Sequence, residues 1–212
     1  MPEEVKRRYH SPTRAEAARR TRAVIREAGA RLFAEQGYVS TTMRQIADAA
    51  GVAPRTVFAT FPGGKAEVFS EALNVAVAGD ELPIAQADRP AFRESLDDPE
   101  HIIDVLVTVN TDLLDRAGKL IMTTVESAGA DLDMRRFADE GAQATATNMR
   151  TVANALDSHG LLRDGITAEA AGDVLFTLCS PHVHALLRAA RGWSPQRYRE
   201  WLRTTITTTL LR

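Results

Sequence analysis

Between Ser40 and Phe61 the apolar and small residues fall where two short helices joined by a tight turn need them. Ile46 and Ala50 stand four apart with Ala47 beside them, which gives the first helix one apolar face. Thr42 followed three positions later by Gln45 predicts a capping box, and so a helix start. Gly51 ends that helix, because a residue without a Cβ enters the left-handed region at least cost. Pro54 suits the first position of a second helix, where a missing N–H leaves no bond unmade, and Val57 and Phe61 turn an apolar face back on the first. A small residue at 47, a turn glycine at 51 and a β-branched residue at 57 make the spacing of a helix-turn-helix, which sets a helix into the DNA major groove. An ordinary helical hairpin inside a larger bundle is the alternative.

The same periodicity runs through the rest of the chain. Residues 1–13 have few apolar positions and two adjacent basic ones, Arg7 and Arg8, and read as a mobile arm. From about Arg14, Ile25, Ala28, Leu32 and Phe33 predict a helix that Gly37 ends, and Tyr38 is expected to plug a three-helix core with Phe33, Ile46 and Phe61. Lys65 opens a further helix to about Val77. The pattern breaks between Gly79 and Pro99, where Pro83, Pro90 and Pro99 leave room only for a short helix near Ala91–Leu96, so the domain junction is placed there. Beyond it, Asp98 and Pro99 start a helix carrying Ile103, Leu106, Val109 and Leu113. Others are predicted over Lys119–Ser127, over Asp131–His159 with a stop at Gly160 and Leu161, and over Ala168–Arg191 with a kink at Pro181. Ser194 and Pro195 cap the last, with Tyr198, Leu202, Ile206 and Leu210 at steps of four. With no strand-like alternation and no repeat, the expected fold class is all-α: a three-helix DNA-binding head, then a larger helical domain.

The last two helices look too apolar for the outer layer of a monomer. Leu175, Leu178, Val183, Leu186 and Leu187 on one, with Trp201, Leu202, Ile206 and Leu210 on the other, are candidates for a four-helix bundle with a twofold copy. On pattern alone they would equally close the monomer's own core. DNA logic favours the homodimer, because two reading helices span two half-sites about one helical turn apart.

Charge sharpens this division. The 212 residues have a formal net charge of -2, but residues 1–60 hold 11 Lys and Arg against 6 Asp and Glu, and residues 61–212 hold 15 against 22. A basic first third on an acidic remainder suits a phosphate-facing module joined to a part that does not touch nucleic acid. Arg14, Arg19, Arg20, Arg22 and Arg26 crowd the first helix, where they suit the DNA backbone or a solvated face. The apolar runs are too short to span a bilayer, the first residues are charged, and Cys179 is the single cysteine, so a cytoplasmic protein is expected. Cys179 lies in an apolar run and reads as a core residue.

The segment from about Ile25 to Leu73, with L-F-A-E-Q-G-Y, T-T-M-R-Q-I-A-D-A-A-G-V, T-V-F-A-T-F and G-G-K-A-E-V-F, closely resembles the DNA-binding domain of the TetR family of bacterial transcriptional regulators. The C-terminal S-P-H-V-H-A-L-L-R-A-A-R-G-W-S-P-Q-R-Y-R-E-W-L resembles the end of a TetR-type ligand domain. The resemblance implies an all-helical homodimer that binds a double-stranded operator and leaves it when a small-molecule effector enters the larger domain. It places backbone anchors at Thr42, Arg44, Thr60 and Lys65, and the reading helix at Pro54, Arg55, Thr56, Phe58 and Ala59. Arg55 is the candidate for a guanine edge, with a phosphate clamp as its alternative. Phe58 stands where the family usually has tyrosine, and Ala59 and Thr60 are smaller than usual, which shifts weight to Arg55 and the arm. The implied organisation is an arm and start of the first helix at 1–20, the helix-turn-helix domain at 21–64, and an effector and dimerisation domain at 65–212.

Chemistry elsewhere is sparse. Leu106, Asn110, Met122, Glu126, Asn148 and Phe176 are candidate effector contacts, being polar groups beside apolar stripes or an aromatic before the kink, though each also fits an ordinary surface or core role. His182 and His184 are two apart and face different ways, and the other histidines have no ligand-spaced partner, so neither metal nor cofactor is expected. The G-G-K at 63–65 is no phosphate loop, since Ala59 and Ala66 stand where glycine and Ser or Thr would be needed. No nucleophile elbow, zinc-protease motif or triad order is present, so a regulator is expected and not an enzyme. The rival class is a helical small-molecule-binding protein or enzyme with a degenerate helix-turn-helix.

Overall fold

The computed structural model describes residues 12–79 and 90–212; the expected arm with Arg7 and Arg8, and Pro83 of the expected junction, lie outside them. The order is α1 Pro12–Ser40, α2 Met43–Ala50, α3 Pro54–Thr60, α4 Gly64–Ala78, α5 Pro90–Ser95, α6 Ile102–Ser127, α7 Leu132–Ser158, α8 Ala168–Leu178, α9 Pro181–Ala185, a π-helical turn Leu186–Ala190, and α10 Pro195–Leu210. An isolated antiparallel bridge between Leu162 and Leu211 is the strand-like pairing among the described residues. No helix among them is long and apolar enough to cross a membrane.

Local signals set the head. The Thr42 hydroxyl accepts from the Gln45 N–H while the Gln45 side chain accepts from the Thr42 N–H, so both halves of the capping box form. Gly51 sits at φ 67° and ψ 30°, and its N–H reaches the Ala47 and Asp48 carbonyls. Gly37, at φ 79° and ψ 168°, interrupts α1 where the sequence places its end. The helical turn beyond it holds Tyr38 inward, buried with Phe33, Ile46 and Phe61. The same core takes in Val68, Phe69 and Ala72 of α4, Leu120 of α6 and Met134 of α7, so the larger part of the chain closes the head.

Four expectations of helix geometry are corrected. The helix expected at Pro99 starts at Ile102, because the Asp98 carboxylate accepts from Glu100 N–H and holds a turn there instead. The separate Lys119–Ser127 helix is the second half of α6, which runs unbroken through Ala117 and Gly118. Gly118 is buried within α6 beside His184 of α9 and does not end a helix; a Cβ there would stand 3.5 Å from His184 Nδ1, an ordinary contact. At Ser180–Pro181 the chain breaks rather than kinks: Ser180 takes extended dihedrals and its hydroxyl caps α9 by accepting from Val183 N–H. Expected helix over 186–190 widens into the π turn, with Arg191 N–H reaching back to Leu186.

A second core joins α6, α7, α8 and α10. Leu175, Leu202, Ile206 and Leu210 are buried in it. That corrects their placement on a dimer face, since they are consumed by the chain's own packing. Leu178, Val183, Leu187 and Trp201 are half-buried, and Leu186 is 58% exposed. Beside this core His184 bonds Asp115 at 3.1 Å and meets Tyr198 edge-on, with Arg188 on the same carboxylate.

Burial holds the His184 imidazole below its ordinary value, and Asp115 only partly opposes that. The unfolded chain therefore binds this proton more readily than the folded one, and the stability of the neutral ring is lost as pH falls through the imidazole range. Between about pH 7.5 and about pH 5.5 the wild type should lose more stability than His184→Gln does. Urea unfolding at the two pH values reads the difference, and parallel losses would refute it.

Candidate nucleic-acid interface and ligand cavity

Helix α3 owes its position to three local features: extended Ala53 before it, Pro54 in its first turn, and Val57 locked in the head core. With Val57 inward, Pro54, Arg55, Phe58 and Ala59 face outward, and Phe58 is 56% exposed. Thr42 and Arg44, at the start of α2, are exposed as well. Thr56, Thr60 and Lys65 are half-buried. Thr42 commits its hydroxyl to its own cap, and the Thr60 hydroxyl donates to the Thr56 carbonyl at 2.8 Å. The outward donor on the reading helix is the Arg55 guanidinium.

Several expected cations are turned inward. Arg22 donates to Glu71 at 2.6 Å, to Glu67 at 2.9 Å and to the Thr60 carbonyl at 2.7 Å, and its guanidinium lies over the Phe61 ring. Its pKa is raised, first by the bond to Glu71. Arg26 reaches Glu71 at 3.6 Å. Arg22 thus ties α1 to α4 and fixes the end of α3, which removes it from the basic face the sequence offered to DNA. Arg14, Arg19 and Arg20 remain exposed on the first half of α1.

Lys65 has a double attachment. Its ammonium donates to the Tyr38 carbonyl at 2.9 Å and stands 4.1 Å from the Tyr38 ring centre. Burial lowers its pKa, opposed by Asp131 at the N-cap of α7. One proton is spent inside the head, so Lys65→Ala should cost about 1 kcal/mol of stability without any DNA present. An unchanged urea midpoint would leave Lys65 no structural part.

A cavity of about 1220 Å³ lies among α4, α6, α7 and the α8–α9 corner. Leu106, Asn110, Asn148 and Phe176 line it, as the sequence suggested. Met122 and Glu126 do not: the cavity face of α6 passes through Leu106, Asn110, Leu113, Ile121 and Thr124, and those two residues sit on another side of the helix, Glu126 exposed. Cys179 also lines the cavity, and burial pushes its thiol up to about 12, which makes it a packing residue. Among the described residues no cluster of His, Cys, Asp or Glu could hold a metal ion.

The Lys65 helix was expected to carry a ligand-driven shift to the head, but the aromatic contact between cavity and head was not read in the sequence. Phe137 lines the cavity and stacks on Phe69 with centroids 6.1 Å apart. Phe69 in turn meets Phe33 at 5.1 Å and Tyr38 at 5.5 Å, both edge-on. The signal was present in the spacing, since Lys65, Phe69, Leu73 and Val77 stand at steps of four on one stripe of α4. Leu73 and Val77 line the cavity, so one helix, rising about 18 Å from Lys65 to Val77, joins the reading head to the cavity.

Residues 25–72 match the family described as bacterial regulatory proteins, tetR family. Among solved structures the chain is similar to NalD, the secondary repressor of the MexAB-OprM multidrug efflux pump in Pseudomonas aeruginosa. The two are 25% identical with a TM-score of 0.68, over 92% of this chain and 98% of that one. It also shares its fold with a putative transcriptional regulator from Saccharomonospora viridis in complex with choline, at 22% identity and a TM-score of 0.64, over 93% and 99% of the two chains. The ketosteroid transcriptional regulator KstR2 of Mycobacterium tuberculosis is similar at 17% identity and a TM-score of 0.64, over 90% and 95%. No curated protein sequence matches the chain. The tetR family's DNA-binding head is thus matched over residues 25–72, and the chain shares the fold of these transcriptional regulators over nearly its whole length.

Proposed function

We propose that the protein is a homodimeric repressor that a small molecule releases from its operator. The observation that carries this reading is the double membership of α4: its first turn holds Lys65 against Tyr38, and its last turns wall the cavity through Leu73 and Val77. A ligand that displaces those two side chains, or Phe137, moves the helix on which the head is packed. In a dimer such a shift changes the distance between two reading helices and so the fit to two half-sites. We take residues 21–64 as the DNA-binding part and 65–212 as the effector and dimerisation part, with α4 as the shared lever. Thr42, Arg44, Thr60 and Lys65 act as backbone anchors, Pro54, Thr56, Phe58 and Ala59 shape the reading surface, and Arg55 reads a base. NalD's role as a repressor supports the sign of regulation. Leu178, Leu186, Leu187 and Trp201 supply the apolar residues for a twofold contact.

The direct test is a fluorescence-anisotropy titration against DNA from the protein's own promoter region at increasing salt. Tight binding at low salt, with log affinity falling steeply against log salt, is expected, at a slope of about 0.9 per neutralised phosphate. Absence of binding at low salt sinks the regulator and leaves the degenerate-motif carrier in its place.

A further inference from the structure

The cavity wall has a chemistry of its own. It is built from apolar side chains such as Leu106, Val109, Leu113, Ile121, Phe137 and Met149. The charged side chains on its border, Arg93 and Glu140, are exposed, and so is His182. Among the described residues the lining therefore holds no buried charge. A carboxylate or ammonium entering this volume would shed water without a partner, which is strongly unfavourable. A neutral molecule faces no such penalty.

One polar atom in this wall has no place in the protein's own bonding. Asn110 projects from α6 into the lining, and its Nδ2 is buried with no hydrogen-bond partner. Buried amide donors are nearly always satisfied, and leaving one unmade is unfavourable. The neighbouring helical positions are filled by apolar residues, Leu106 before it and Leu114 after it, so a leucine would have suited position 110 had packing been the sole demand. Because Asn110 lines the cavity, rotation about the soft terminal amide torsion would present this donor to a ligand oxygen.

We propose that the cavity takes a neutral, mainly apolar molecule carrying a carbonyl or similar acceptor oxygen, and that Asn110 Nδ2 is the donor that recognises this oxygen. The inference rests on the reading of the cavity as the effector site. Asn110 sets the choice among neutral ligands, and the uncharged wall rejects ions.

Benzophenone, diphenylmethane and 4-benzoylbenzoate share a two-ring frame and differ in the two properties at issue. Calorimetry should show benzophenone binding about 3- to 10-fold more tightly than diphenylmethane, the worth of one hydrogen bond, and also more tightly than the carboxylate. Asn110→Leu and Asn110→Asp should each erase the preference for the ketone, and Asn110→Leu should retain diphenylmethane. Photo-activated benzophenone should label peptides of α6 or α7. Tightest binding of the carboxylate, a ketone preference that survives both variants, labelling elsewhere, or no binding of either neutral probe each overturns the proposal. DNA release is read separately by anisotropy. Binding without release leaves the ligand class standing and sinks the effector reading, whereas a protein that never binds DNA fails as a regulator whatever the probes do.

Discussion

Phe69→Ala is expected to lower the stability of the chain by about 3–5 kcal/mol, the cost of emptying a fully packed aromatic site. At this chain length that corresponds to a fall in thermal midpoint of roughly 6–20 °C. Phe69 is completely buried in the core that closes the head, and its ring touches Phe33 and Tyr38 on one side and Phe137 on the other. Removing it opens a void that α1, α4 and α7 share, and no single helix can shift to fill it without disturbing the other two. Phe69→Leu keeps most of the volume and should cost much less. Thermal unfolding followed by helical circular dichroism tests both. A loss below about 1 kcal/mol for the alanine variant would mean that the head does not depend on this ring. Phe137→Ala makes the useful comparison, because Phe137 lies at the cavity end of the same stack and should weaken the link with a smaller loss of stability.

The head was legible because its signals are local. Thr42 with Gln45, Gly51 and Pro54 each decide the conformation of a few neighbouring residues, and all three act as their chemistry requires. Arg22 shows where local reading stops. Its place in a run of arginines suggests a phosphate-facing surface, while Glu67 and Glu71, which capture it, are 45 and 49 residues away. Nothing in the run itself separates Arg22 from the exposed Arg19 and Arg20. The misassignment of Met122 and Glu126 has a different cause. Treating Lys119–Ser127 as a new helix discarded the phase set by Leu106 and Asn110, and an unbroken α6 carries that phase through Ile121 and Thr124 instead. For Leu175, Leu202, Ile206 and Leu210 the pattern is the same whether the covering helix belongs to the same chain or to a second copy, so only packing could settle it. The Ser180–Pro181 break was half-read: proline removes a helix bond, but the serine before it also caps a new start, and the two together separate α8 from α9.

Arg55→Ala is expected to relax sequence preference at one operator position by about 1–3 kcal/mol, or roughly 5- to 150-fold in affinity between the best base and its replacements. The guanidinium is exposed near the start of a seven-residue helix whose other outward side chains, Pro54, Phe58 and Ala59, have no donor to offer a base edge. Thr60 and Thr42 direct their hydroxyls to neighbouring groups of the protein, so discrimination by hydrogen bonding falls on this one fork. Phe58, more than half exposed, suits an apolar contact such as a thymine methyl and would survive the change. Arg44→Ala is the control, because a phosphate contact weakens all sequences alike and lowers the salt slope by about 1. Anisotropy on a set of operators varied one base pair at a time, at two salt concentrations, separates the two roles. If Arg55→Ala instead weakens every sequence equally and takes about one unit from the slope, Arg55 is a phosphate clamp, and recognition must come from DNA shape or from contacts outside the reading helix.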